Sequence, residues 1–225
     1  MRQHGVVARW QLLEMGMSGR TIARRLAERR LHTIHRGVYA VGHSLLSSDG
    51  RLMAAALAGG PGAVVSHISA AALHGILHYN GRGIHVTAAG GARCRPGLRF
   101  HRARLPSDEV TETRGIPVTT VPRTLFDLAA HAPRRKVATA VHEAEVARLW
   151  DALSVHDLIA RYPRARGTAT LRAILADRDL GEKATDEEIE QLFIAAVERL
   201  GPPRPKLRQT VWIGDRHYRP DAVWE

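Results

Sequence analysis

The densest run of residues able to do chemistry is the arginine series in GRTIARRLAERR, with Arg20, Arg24 and Arg25 close together and Arg36 a few residues on. Guanidinium forks pair with guanine O6 and N7 or with phosphate oxygens, so the series points to nucleic-acid contact rather than to bond making. Ser66, His67 and Asp127 supply a nucleophile, a base and an orienter by residue type. No nucleophile-elbow glycines surround the serine, however, and Ser66 is read as a helix cap. His74 and His78 have the spacing of a helical metal pair, yet Gly75 interrupts the helix and no acidic residue stands in register. The lone cysteine, Cys94, excludes an intramolecular disulfide and a cysteine-based zinc site. No metal or cofactor is expected in the N-terminal half.

The arginines need a scaffold, and the local pattern supplies one. At 100° per residue, Gly19, Ile22, Ala23 and Leu26 share one helix face, while Arg20, Thr21, Arg24 and Glu28 share the other and Arg25 lies on the flank. Ser18 can cap this helix, and Met17 can staple onto Ile22. Residues 7–15, VARWQLLEM, predict a preceding helix with Val6, Trp10 and Leu13 aligned, ended by Gly16. Leu31–Ile34 and Val38–Val41 read as strands joined by His35-Arg36-Gly37, with Gly37 supplying a positive φ. Helix, three-residue turn, helix and hairpin make a winged helix-turn-helix over residues 1–43. Its base-reading candidates are Arg20, Thr21 and Arg24, and Ser18, Arg25, His35 and Arg36 are further candidate contacts to double-stranded DNA. His32, His35 and His43 flank the wing, where phosphate contact or solvation is expected rather than catalysis.

The formal net charge of +11 supports a polyanion partner, and its distribution narrows where that partner sits. Residues 1–43 carry eight arginines against two glutamates, whereas residues 181–225 carry nine acidic residues against seven basic. Residues 44–180 carry eighteen basic residues against eleven acidic, so the front and the middle are the parts that fit a polyanion partner. No apolar run is long enough to span a membrane and the N-terminus has no apolar signal core, so a cytoplasmic protein is expected.

The remaining chain predicts an α+β fold. Residues 44–180 read as a mixed α/β middle domain with a helical extension. Its helices are expected at 51–58 and 66–74, its strands at 84–87 and 98–104, and a further helix begins where Thr120 caps and Pro122 suits the first turn. Residues 134–178 are expected to be mostly helical. In residues 181–225 a helix should carry Ile189, Phe193, Val197 and Leu200 on one stripe, followed by a hairpin around Gly214-Asp215.

The run from His4 to His43, ending in GVYAVGH, resembles the N-terminal winged-helix domain of AbiEi-type antitoxins and transcriptional regulators. SHISAAALHGI (66–76) and GIPVTTVPRTLFDLAA (115–130) resemble that family's central region. The resemblance implies a sequence-specific, autoregulatory DNA-binding regulator of a type IV toxin-antitoxin system, with a nucleotidyltransferase toxin as a possible partner. The last stretch resembles the opening of a Vsr-like, PD-(D/E)XK-type endonuclease domain, in which Glu190 matches the helix glutamate and Asp221 the first strand acid. The second acidic motif of such domains, a Glu-x-Asp on the next strand, would fall beyond Glu225. The expectation is therefore an incomplete endonuclease-like segment without catalysis, with Mg²⁺ required only if the domain is completed. The rival reading is a DNA endonuclease whose winged helix delivers this tail to its substrate.

Overall fold

Gly5 and Gly16, with φ of +75° and +84°, bracket the first two elements, β1 (Val6–Ala8) and α1 (Arg9–Glu14). The computed structural model describes residues 3–78, 81, 83–90, 94–149, 152–183, 186–201, 203, 205–207, 209–213, 216–218 and 222–224. The first helix is shorter than the sequence suggests. Val6, Val7 and Ala8 are all buried, and β-branched residues covered on both faces favour a strand. The phase of α1 then follows Leu12, which packs with Ile22, while Leu13 is left 40% exposed. After the turn come α2 (Gly19–Ala27), β2 (Leu31–His35) and β3 (Val38–Val41). The three strands form one antiparallel sheet in the order β1-β3-β2, with Val7 opposite Tyr39 and Leu31 opposite Val41. A bulge between Thr33 and His35 turns Ile34 towards the core.

A five-stranded mixed sheet follows. It is built from β4 (Val64–Val65), β5 (Ile84–Ala88), β6 (Leu98–Arg102), β7 (Val110–Thr113) and β8 (Ile116–Thr119), in the order β6-β5-β4-β8-β7. The β5–β6 and β4–β8 pairs are parallel, and the β4–β5 and β7–β8 pairs antiparallel. Helices α3 (Ser48–Ala58) and α4 (His67–Leu73) pack on this sheet, and α5 (Val121–His131) packs against α4. The caps of α3 and α5 are local: Gly50 N donates to Ser47 Oγ at 3.0 Å, and Arg123 N to Thr120 Oγ1 at 3.4 Å. Alternation along β5 and β6 gives them two unlike faces. Val86 and Leu98 pack with Ala55 of α3, whereas His85, Thr87 and His101 face the other way, towards α4 and α5.

The chain divides into two compact units, residues 1–174 and 175–225. Val6, Val38 and Ala40 of the small sheet share one apolar cluster with Met53 and Ala54 of α3 and with Val65, Ile116 and Val118 of the large sheet. The sequence reading drew boundaries at 43 and 180; the packing joins residues 1–43 to the middle segment and divides the chain inside α8 (Thr168–Lys183). Before α8 the first unit also carries α6 (Arg134–Val146) and α7 (Ala152–Arg161).

The second unit contains α9 (Asp186–Leu200) and four short strands, β9 (Lys206–Leu207), β10 (Val211–Ile213), β11 (Arg216–Tyr218) and β12 (Ala222–Val223). β10 pairs antiparallel with β11, and β9 with β12. Of the expected stripe on α9, Val197 is buried, together with Ile194, whereas Phe193 is 38% and Leu200 78% exposed, and the Ile189 side chain lies outside the described residues. Phe193 instead meets the Trp224 ring edge-on at 6.1 Å. Among the described residues no helix is long and apolar enough to cross a membrane.

Candidate functional site

α2 is a presented helix. Ser18 Oγ accepts from Thr21 N at 3.1 Å and lies 2.9 Å from Thr21 Oγ1, which fixes the first turn. Ile22 is buried and Leu26 half-buried against Leu12, Leu31 and Tyr39, while Gly19 and Ala23 are exposed, so the inner face is narrower than the helical wheel suggests. Arg20, Arg24 and Arg25 are exposed and Thr21 is half-exposed on the outer side. Arg24 Nε stands 3.7 Å from Glu28, with the two side chains 69% and 45% exposed, and a solvated pair of that kind restrains the arginine little.

The hairpin is tied to the start of α1 by Arg9 N donating to Gly37 O at 2.8 Å. Gly37, at φ +77°, lets the tip close and leaves Arg36 exposed beside it. His35 is placed differently from Arg36. It is half-buried in a cleft with Ile34, Arg51 and Leu98, and burial first, then Arg95, pushes its pKa down. His35 is therefore a neutral hydrogen-bonding group near pH 7 rather than a cation. Ser18 carries a structural duty as a cap whatever else it touches. Of the tail candidates, Glu190 lies in α9 but its side chain is outside the described residues, as is Asp221.

The middle sheet holds a polar cluster that sequence reasoning dismissed. Ser66 occupies the N-cap position of α4 but makes no capping bond. Its hydroxyl accepts from Thr87 Oγ1 at 2.8 Å and lies 3.0 Å from His67 Nδ1, so the expectation of a capping serine fails because Thr87 and His67 claim the oxygen. The arrangement is no nucleophile relay either. Ser66 is fully buried, and the nitrogen that meets it is the one facing Asp127 Oδ2 at 3.8 Å, so no second ring nitrogen links a base to an orienter. His74 is used elsewhere, donating Nε2–H to the Thr119 carbonyl at 2.8 Å, and His78 is exposed.

Around His67 stand three more imidazoles. His101 stacks on it at 3.6 Å between ring centroids, His131 meets it edge-on at 5.1 Å and His85 is tilted at 5.7 Å. Burial, then the neighbouring His101, His131 and His85, push the His67 pKa down to about 2. Burial, then His85 and His131, hold His101 at about 4. Both rings are neutral, so the 3.8 Å approach of His67 to Asp127 is not an ion pair. Burial also raises the Asp127 pKa, against the pull of Arg123. Arg123 grips only Asp127 Oδ1, by Nε at 3.0 Å and Nη2 at 2.8 Å, and Oδ2 is buried with no hydrogen-bond partner. His85 and His101 escaped notice because each is an ordinary inward position of a short strand; the alternation IHVTA, polar at the first and third of its last four residues, was the available signal.

A second missed set surrounds Glu109. This carboxylate is 2% exposed and receives Arg123 Nη1 at 2.7 Å, Arg161 Nη1 at 2.8 Å and the Tyr162 hydroxyl at 2.7 Å. Burial works against the charge on Arg123, but Asp127 and Glu109 outweigh it and raise its pKa. The set locks α5 to α7 through the Glu109 carboxylate, which accepts all three bonds.

The geometry defines an α+β protein with an arginine-faced helix and hairpin built onto a mixed-sheet core. Residues 63–154 of this core match the AbiEi antitoxin C-terminal domain family. The match spans the five-stranded sheet with α4, α5 and α6, and supports the AbiEi resemblance and an antitoxin-type regulator role for this part of the chain. No curated protein matches the chain.

Proposed function

We propose that the protein is a sequence-specific DNA-binding regulator of the AbiEi antitoxin type, in which residues 6–41 act as a winged helix-turn-helix. The carrying observation is the combination of α2, whose exposed side is arginine-rich and whose apolar side is packed, with a hairpin that carries exposed Arg36 at its tip and is tied to the start of α1. The N-terminal half of α2 enters the major groove, where Arg20, Thr21 and Arg24 meet base edges and phosphates. Arg36 and Arg25 meet the backbone, and the positive end of α2 adds to the attraction. The family resemblance extends this to repression of the protein's own promoter in the cytoplasm and to a nucleotidyltransferase toxin as the protein partner.

The test is a salt-titrated binding assay with a duplex covering the segment upstream of the reading frame and a shuffled duplex of the same length. Tighter binding to the upstream duplex, weakening linearly on a log–log salt plot, is expected. Equal affinity for the two duplexes at every salt concentration would remove the sequence-specific regulator. Co-purification with the product of an adjacent nucleotidyltransferase gene tests the partner separately.

A further inference from the structure

We infer that His67, His85 and His101 form a binding site for a divalent first-row transition metal ion of the zinc class, with Asp127 as the carboxylate that orients His67. The inference is independent of the DNA-binding reading, since none of its four residues belongs to α2, to the hairpin or to the apolar cluster that joins the small sheet to α3.

Three features of the fold bring it about. One ligand atom from each of the three imidazoles lies within 4.8 Å of the others. His101 Nε2 and His85 Nδ1 are already 3.0 Å apart. Nitrogens held on one zinc ion at about 2.0–2.1 Å stand roughly 3.0–3.4 Å from each other, so this pair is spaced as two ligands of one ion. Without an ion one of the two nitrogens must carry a proton, and ligation moves that proton to the ring's other nitrogen. A ring nitrogen of His67 lies within 4.8 Å of the other two ligand atoms, and its ring, stacked on His101 at 3.6 Å, turns out of that stack to close the set.

The second feature is Asp127. Its carboxylate is buried, and Oδ2 points at His67 Nδ1 without a hydrogen-bond partner. A buried carboxylate oxygen left unsatisfied is costly, and metal-binding histidines commonly donate their second ring N–H to such a group. With Ser66 Oγ also facing Nδ1, the proton of His67 is held there and the lone pair stays on Nε2. Third, His67 itself adopts a left-handed backbone, φ +54°, which strains a residue with a Cβ and persists only where the surroundings hold it.

Three imidazoles are a nitrogen set that suits zinc and its neighbours and does not suit Mg²⁺ or Ca²⁺. His85 and His101 are half-exposed while His67 is buried, which gives the ion an entrance and leaves a coordination position for water. Bound there, the ion clamps β5, β6 and the start of α4 together.

The experiment uses the full chain without an affinity tag, stripped with a chelator and titrated with Zn²⁺ alone by calorimetry, beside His85→Gln, His101→Gln and an exposed control, His78→Gln. One tightly bound ion per chain is expected in the parent and in the control, with affinity at least about tenfold weaker in either cluster variant. Binding unchanged in both cluster variants, or no tightly bound ion in the parent, would overturn the site. Cobalt(II) added to the parent chain gives a readout that needs no variant. Intense visible bands of a low-coordinate, nitrogen-bound ion support the proposal, and the pale spectrum of the hydrated ion contradicts it.

Discussion

Arg161 Nη1 donates to Glu109 Oε1 at 2.8 Å although 52 residues separate them, and its Nη2 reaches Asp108 at 2.7 Å. The helical stretch after residue 134 is therefore fastened to the mixed sheet through a buried carboxylate, not appended to it. Glu109→Ala leaves Arg123, which is itself largely buried, without one of its two acidic partners. Removing one member of such a set is expected to cost about 3–5 kcal/mol of stability. Urea unfolding followed by circular dichroism checks it; a loss near that of a surface substitution would show that the network is slack.

Gly167, at φ +94°, lies so close to the end of α5 that an added Cβ would meet Ala130 N at 2.4 Å and the Ala129 carbonyl carbon at 2.5 Å. Both partners are backbone and have no side chain to swing away. Gly167→Ala is expected to destabilise the protein by roughly 3 kcal/mol, from overpacking and backbone strain together. Gly60→Ala shares the positive φ, +90°, but has nothing within 4 Å of the new Cβ, so its cost should be the backbone part alone. Equal losses in the two variants would mean the crowding at Gly167 is relieved by movement.

What the sequence revealed is what neighbours within a few residues decide. The Ser18 cap, the Gly37 tip and the Thr120 cap each depend on two or three adjacent residues, and each is found in its expected place. Val7 and Ala8 fall in the expected helix 7–15 because the strand's pairing partner, Val38–Ala40, lies some thirty residues away and its burial comes from α3 beside Val6 and from Leu12, Ile22 and Tyr39 beside Val7. Ser66 was read as a cap because Thr87, which takes its hydroxyl, is 21 residues downstream. The histidine cluster was hidden for the same reason. It draws on α4, two parallel strands and α5, and the parallel register that sets Thr87 beside His101 has no local signature.

His74 gives the pH dependence a sign. Burial lowers its pKa from the ordinary 6.5, against the hydrogen bond to Thr119 that raises it. Below pH 6.5 the unfolded chain takes up a proton that the folded chain refuses, so this contribution to stability is full above pH 6.5 and declines as pH falls. His74→Gln keeps an amide donor for the Thr119 carbonyl and cannot titrate. Compared by urea midpoint at pH 8 and pH 5 in the presence of chelator, the variant should lose less stability on acidification than the parent. A steeper loss in the variant would mean that His74 is protonated in the folded state.

The two arginines of the candidate interface should fail in different ways. Arg24 sits on the exposed face of α2, six residues from the Ser18 cap, where a guanidinium can reach base edges. Arg24→Ala is expected to cost about 1–3 kcal/mol of binding to the preferred duplex and to narrow the gap between that duplex and a shuffled one. Arg36 stands at the hairpin tip beside Gly37, where backbone phosphates are the nearer target. Arg36→Ala should weaken binding to both duplexes by the same factor and reduce the log–log salt slope by about 0.9, the share of one phosphate contact. Fluorescence anisotropy across a salt series separates the outcomes. Full affinity and full discrimination in Arg24→Ala would take that residue out of the interface, and a loss confined to the preferred duplex in Arg36→Ala would place the wing tip on a base instead of the backbone.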